Sequence, residues 1–190
     1  LEVVLKDKNL DLAARGKKQV WASMNEKREE EIVNRFERDK PAERVVPTSS
    51  YHRMHHCDIV IEAVPEDLSL KQEVLSAVES EVSEDAILAT NTSSIPIHRI
   101  AEGIAKPDRL IGMHYFSPVG DVPLVEIIPS EQTSDETLAT AFGLARRQGK
   151  QVIVVEDRPG FYTTRILALY LNEALLLLEE GADVPTVDKM

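Results

Sequence analysis

The stretch CDIVIEAV, residues 57–64, narrows the fold more than any other part of the chain. It reads as an apolar run of strand length. Strands of that kind are buried on both faces, and they belong to parallel sheets covered by helices. The chain beyond residue 64 keeps to that plan. PEDLSLKQEVLSAVESEV opens with acidic residues and places Leu70, Val74, Leu75 and Val78 on one helical face. AILAT (86–90) predicts the next strand, IPIHRIAEGI a short helix and RLIGMHY (109–115) another strand. VPLVEII, a helix from about Thr133 to Gly149 and a strand QVIVVED (151–157) complete the series. Before residue 57, EVVLK (2–6) reads as a short β-branched strand closed by Asp7. A helical pattern runs from Asn9 to about Asp39 through Val20, Trp21, Met24, Ile32, Val33 and Phe36, and Pro41 ends it. RVVPT reads as an edge strand, because Pro47 has no N–H to give a ladder. Strands alternating with helices imply an α/β fold, its sheet parallel in the first part.

RPG (158–160) breaks this rhythm. From Phe161 to Glu180 the chain is helical and apolar nearly all round, so something must cover it. Only ten residues come after it. The expected organisation is therefore an α/β domain over 1–157 and the beginning of a helical domain over 158–190.

Composition removes several function classes. With 22 basic and 33 acidic residues the net charge is −11, which argues against broad binding to nucleic acid or anionic membranes. Cys57 is the single cysteine, so no intrachain disulfide can form and a reducing compartment is slightly favoured. The apolar runs near 166–171 and 174–178 are far too short to span a bilayer. The chain opens on LEVVLKD with neither an initiator methionine nor a signal-like leader.

Four places could carry chemistry. Asp7 ends the first strand, where dinucleotide-binding folds hold ribose hydroxyls on an acid; capping the next helix is the competing reading. No G-x-G-x-x-G can be drawn, since Gly16 is the only glycine before Gly103. HRMHHC (52–57) groups three histidines and a cysteine without the paired spacing of a metal site, and is read as a surface linker with no metal. ATNTSSIP (89–96) runs from a strand end into small polar residues, the place where α/β sheets bind ligands, and helix capping accounts for one hydroxyl there. Last, His114 and Glu126 each interrupt a β-like run. A buried carboxylate needs a partner, an imidazole is a natural one, and the two together with nearby hydroxyls fit proton removal from an alcohol.

DIVIEAVPEDLSLK (58–71), ATNTSSIPI (89–97), RLIGMHYFSPVGDVPLVEII (109–128) and DRPGFYTTR (157–165), in that order, resemble the 3-hydroxyacyl-CoA dehydrogenases. Within the family, GMHYFSP and PGFYTTR look most like the dehydrogenase part of the mitochondrial trifunctional type, in which an enoyl-CoA hydratase domain precedes this region. The resemblance implies a Rossmann-like sheet lacking its first strand and glycine loop, which would precede Leu1. It also implies the start of an all-helical C-terminal domain, most of which would lie beyond Met190. It implies NAD as cofactor, an acyl-CoA substrate, NAD-dependent oxidation of (S)-3-hydroxyacyl-CoA in fatty-acid β-oxidation and a mitochondrial matrix location. A homo-oligomer, or the remainder of a multifunctional β-oxidation enzyme, is the implied assembly.

Carried over by position, His114 would be the catalytic base, Glu126 would hold and polarise it, and Ser93 would bond the substrate oxygen. Asp7 would hold the adenosine ribose, and Glu66, Lys71 and Asn91 would line the cofactor site. Ser23, Ser94 and Thr164 would serve substrate or CoA. Three positions depart from the family pattern: Thr164 and Ser117 replace asparagines, and Glu30 stands where a CoA-contacting lysine is expected, with Lys27 and Arg28 near. The missing loop supports a competing reading, a non-catalytic CoA-binding or assembly module with the same fold; the His114–Glu126 spacing opposes it.

Overall fold

The computed structural model describes residues 1–26 and 43–189. Ile32, Val33, Phe36 and Pro41, and the CoA-side positions Lys27, Arg28 and Glu30, lie outside the described residues. The chain forms two compact units, Leu1–Asp58 with Ala77–Ala86, and Ile59–Ser76 with Ile87–Met190.

In the first unit β1 (Val3–Lys6) pairs in parallel with β2 (Val45–Thr48), and Pro47 lies opposite Leu5. Between them in the sequence, α1 (Leu10–Glu26) brings its small residues to β1: Ala13 is buried, and a Cβ on Gly16 would stand 2.9 Å from Leu5 Cδ2. A larger residue at position 16 would have to displace the end of the Leu5 side chain.

The second unit is built on five strands in the order β3 (Ile59–Glu62), β4 (Ile87–Thr90), β5 (Leu110–Tyr115), β6 (Leu124–Ile128) and β7 (Gln151–Val154). All neighbours run parallel except β5 and β6, which are antiparallel. The strand expected within CDIVIEAV begins at Ile59 as the outer strand of this sheet and is buried on one face only, at Val60 and Glu62, with Ile59 and Ile61 half-buried. Coverage of both faces is found in the adjacent β4, where all four residues are buried. The helices are α2 (Leu68–Glu79), α3 (Ile97–Ala101), α4 (Asp135–Arg147), α5 (Thr163–Glu179) and α6 (Val184–Val187). Ser134 caps α4 through the Thr137 N–H, and Asp183 caps α6 through the Thr186 N–H.

Side chains alternate across the sheet, and this sorts the residues. Ile87 and Ala89, Ile111 and Met113, Val125 and Ile127 share one face, where Ala141, Leu144 and Ala145 of α4 close the core. The intervening residues Gly112, His114, Glu126 and Ile128 therefore share the other face. There α3 comes close: a Cβ on Gly112 would lie 2.7 Å from Ile97 Cδ1 and 2.9 Å from Ile128 Cβ. The helix expected over 161–180 is present as α5, but none of its residues is buried, and Leu169, Tyr170 and Leu175 are 72%, 66% and 60% exposed.

Candidate active site

His114 and Glu126 are direct partners across the antiparallel β5–β6 ladder. Opposed positions point to the same face, and the Glu126 carboxylate accepts a 2.7 Å hydrogen bond on Oε2 from Nδ1 of His114. Both are buried, Glu126 completely. Burial pushes its carboxyl upward. The bond from His114, the Thr163 N–H and hydroxyl, and the histidine's charge outweigh that, so it is held below the usual range. An ionised acceptor on Nδ1 fixes the proton there and leaves Nε2 as the basic nitrogen. Phe116 packs tilted on the imidazole with ring centres 4.3 Å apart, and Phe161 lies at 6.0 Å.

Glu126 has a second set of partners. Its Oε1 accepts the Tyr162 and Thr163 N–H groups at 3.3 and 2.8 Å, where α5 begins. The next residue, Thr164, donates its hydroxyl to the Ser93 carbonyl at 3.4 Å. Successive residues of one helix start thus touch the His114–Glu126 pair and the Ser93 loop. Asn91 completes the junction, its Oδ1 accepting the Tyr115 N–H at 3.0 Å, one residue beyond His114.

The polar loop after β4 is organised around Glu66. Its Oε1 accepts the Thr92 hydroxyl at 2.5 Å, the Ser93 and Ser94 N–H groups at 3.0 and 3.1 Å, and the Ser94 hydroxyl at 3.1 Å. Burial raises the Glu66 carboxyl, but Thr92, the Lys71 charge, Ser94 and Ser93 together bring it down to about 2. Neither serine caps a helix here; the Thr92 hydroxyl closes a local turn by accepting the Ser94 and Ile95 N–H groups at 3.3 and 3.0 Å. The Ser93 hydroxyl, 3.5 Å from Glu66, has the loosest engagement of the group.

Lys71 sits beneath this loop with no exposed surface. Its ammonium reaches both Glu62 oxygens at 3.0 and 3.2 Å, the Val64 carbonyl at 3.3 Å and Glu66 Oε2 at 3.4 Å. It supports Glu66 from below. Sequence reasoning missed Glu62, although the signal was present: a carboxylate inside IVIEAV poses the same question as Glu126 inside PLVEII. It missed Asp157 as well. That residue caps α3 through the Ile97 and His98 N–H groups at 2.6 and 2.8 Å and takes Nδ1 of His98 at 2.8 Å.

The structure thus gathers His114, Glu126, Asn91, Ser93, Ser94, Thr164, Glu66 and Lys71 in the second unit. Asp7 and Ser23 belong to the first. Asn9, not Asp7, caps α1, accepting the Leu12 N–H at 2.9 Å. Among the described residues the Asp7 carboxylate accepts the adjacent Lys8 N–H on Oδ1 at 2.6 Å, which leaves lone pairs suited to a ribose hydroxyl. Ser23 is exposed on α1. In the histidine-rich segment, Nδ1 of His52 lies 3.4 Å from Glu81 Oε2 and Nδ1 of His55 bonds the Glu81 carbonyl at 3.0 Å. Among the described residues no three metal-ligating side chains converge.

Residues 1–158 match the family model described as 3-hydroxyacyl-CoA dehydrogenase, NAD binding domain, and residues 160–190 match the 3-hydroxyacyl-CoA dehydrogenase C-terminal domain. The fatty acid oxidation complex subunit alpha of Aliivibrio fischeri is 43% identical over 188 residues, covering 99% of this chain and 27% of that protein. The subunit of the same name from Shewanella amazonensis is 52% identical over 153 residues, 80% of this chain and 22% of that protein. The chain spans about a quarter of the length of these curated relatives. Among solved structures, M. tuberculosis FadB2 superposes with a TM-score of 0.93 at 33% identity, over 98% of this chain and 66% of that one. The (S)-3-hydroxybutyryl-CoA dehydrogenase PaaH1 of Ralstonia eutropha gives 0.92 at 37% identity, again over 98% and 66%. A Rossmann-like NAD-binding domain followed by a helical C-terminal domain is the fold these matches share. The chain belongs to the 3-hydroxyacyl-CoA dehydrogenase family.

Proposed function

We propose that this chain is the cofactor-binding and catalytic part of an enzyme that oxidises (S)-3-hydroxyacyl-CoA to 3-oxoacyl-CoA with NAD in fatty-acid β-oxidation. The single observation that carries the reading is the buried His114–Glu126 pair, with Nδ1 taken by a carboxylate and Nε2 left as base. Nε2 takes the proton of the substrate 3-hydroxyl, Glu126 stabilises the imidazolium that results, and Ser93 bonds the substrate oxygen. Asn91 and Ser94 shape the same wall, and Thr164 keeps the loop in place through the Ser93 carbonyl. Each unit carries residues suited to part of a dinucleotide: in the first, Asp7, which caps no helix, would hold the adenosine ribose, and in the second, Glu66 on its Lys71 support would line the cofactor site. NAD, when bound, supplies the hydride acceptor.

The decisive experiment titrates the purified chain and the full-length parent with NADH and then adds acetoacetyl-CoA. Oxidation by the parent that disappears in His114→Gln, with NADH affinity retained, supports the reading. An unchanged rate in that variant would sink His114 as the base, and NADH or CoA binding by the parent without any oxidation would leave the non-catalytic CoA-binding or assembly module in its place.

The parent is read as a multifunctional β-oxidation enzyme or homo-oligomer that covers the apolar surface of α5. Sedimentation of the chain as a monodisperse monomer that binds no apolar dye would sink that part. The mitochondrial matrix location, and the trifunctional type it goes with, rest on the sequence resemblance. The two fatty acid oxidation subunits are bacterial, and a bacterial genomic source for this chain would overturn both.

A further inference from the structure

Residues 158–161, RPGF, close a four-residue turn in which the Phe161 N–H donates to the Arg158 carbonyl at 2.9 Å. Pro159 and Gly160 occupy its centre in type II order, and Gly160 has the positive φ, 72°, that the third position demands. Phe161 comes next at φ 47°, the one non-glycine residue with positive φ among the described residues. A bulky side chain is sterically disfavoured there, yet its ring is buried, 4% exposed, and packs near His114. Two consecutive left-handed residues redirect the backbone so that the next two N–H groups, of Tyr162 and Thr163, reach the same Glu126 oxygen.

Those N–H groups are the unsatisfied donors at the start of α5, whose N-cap Tyr162 makes no side-chain capping bond. The cap comes instead from a strand 36 residues earlier in the sequence. Glu126 therefore divides its two oxygens, Oε2 to the imidazole and Oε1 to the helix. We propose that the Gly160–Phe161 turn is a positioning element for the catalytic pair: it aims the α5 N–H groups at Glu126 and so sets the orientation and ionisation of the carboxylate that holds His114. The inference rests on the dehydrogenase reading for its catalytic meaning and on geometry for the clamp itself. His114 is the titratable side chain bonded to Glu126 from β5, β7 faces it with Ile153 in the ladder, and α5 supplies the Thr163 hydroxyl besides the two N–H groups. Among the described residues no lysine or arginine is paired with Glu126.

The test compares Gly160→Val with Gly160→Asn in the full-length protein. Both add a side chain, but asparagine tolerates the left-handed region and a β-branched residue does not. Two readouts are taken: the ¹³C-carboxyl NMR titration of Glu126, assigned with Glu126→Gln, and the pH profile of acetoacetyl-CoA reduction by NADH. The valine variant is expected to move the Glu126 titration and the acidic limb of kcat upward together by about one pH unit. Its kcat falls on the order of tenfold with KM nearly unchanged, and the asparagine variant stays near wild type in both readouts. Equal titrations in wild type and the valine variant, or equal losses in the two variants, overturn the proposal. Should the valine variant not fold, Gly160→Ala makes the same comparison, since its Cβ meets Arg165 Cγ at 3.3 Å and nothing closer. An inactive wild type would end the dehydrogenase reading, while the NMR titration would still decide the clamp.

Discussion

Lys71 holds its ammonium 3.0 Å from Glu62, with both side chains sealed from solvent. The carboxylate is fully engaged, for it also accepts the Thr90 hydroxyl at 2.7 Å and the Val64 N–H at 2.5 Å. Such a network ties the end of β3 to the end of β4, the two strand ends from which Glu66 and the Ser93 loop project.

Breaking that pair should cost more than deleting it. Lys71→Met leaves Glu62 buried without its counter-charge and is expected to lower stability by about 3–5 kcal/mol, whereas Lys71→Met with Glu62→Leu recovers most of the loss. Urea unfolding of the two variants checks this. A single variant as stable as wild type would show that the ion pair contributes nothing beyond packing.

The catalytic pair should separate binding from chemistry. His114→Gln in the parent is expected to lower kcat by about 10²–10⁴ with NADH affinity unchanged, because in the proposed mechanism the base acts on the hydroxyl and not on the dinucleotide. Glu126→Gln should lower kcat less, since it retains a side chain of the same shape but cannot hold charge against the imidazolium. Steady-state rates with NADH fluorescence titration read both.

Glu66 predicts a pH window. Its folded-state value, about 2, lies below the ordinary carboxyl value of 4.5, so folding favours the ionised form. That stabilisation is complete above about pH 4.5 and is lost as pH falls through about 2. Wild type and Glu66→Gln should therefore differ most in urea midpoint above the window and converge toward its acid end. Parallel midpoints from neutral pH down to pH 2 would contradict the assignment.

Gly112 is predicted to be irreplaceable on steric grounds. Alanine there would press its Cβ within 2.9 Å of Ile128 Cβ, which belongs to a strand and cannot yield as a side-chain tip can. Gly112→Ala should destabilise by about 1–3 kcal/mol, and thermal unfolding measures it.

How far the sequence could be read depended on how local each cause was. Period and length were enough for β4, β5, α2 and α4, because burial on one or both faces writes itself into every second or third residue. The opposed placement of His114 and Glu126 was legible as a suspicion only. Their meeting depends on β6 turning back along β5, which no local pattern encodes. Glu62 was read past because an apolar context hides a single acid unless each carboxylate is asked for its partner. Lys71 was read as lining the cofactor site, and only its bonds to Glu62 and the Val64 carbonyl at the end of β3 show it fully buried beneath the loop. The left-handed Phe161 had no signal beyond the PG that precedes it.

The β5–β6 register has a consequence for how such a site can change over evolutionary time. His114 and Glu126 face each other because the ladder pairs them, and the twelve-residue interval between them plays no part in it. The loop beyond Phe116, over 117–123, can lengthen or shorten while the ladder keeps the pair opposed. One residue inserted within either strand would turn one partner to the α4 face and separate the two. Tolerance to insertion should thus be generous in that loop and absent two residues to either side of it.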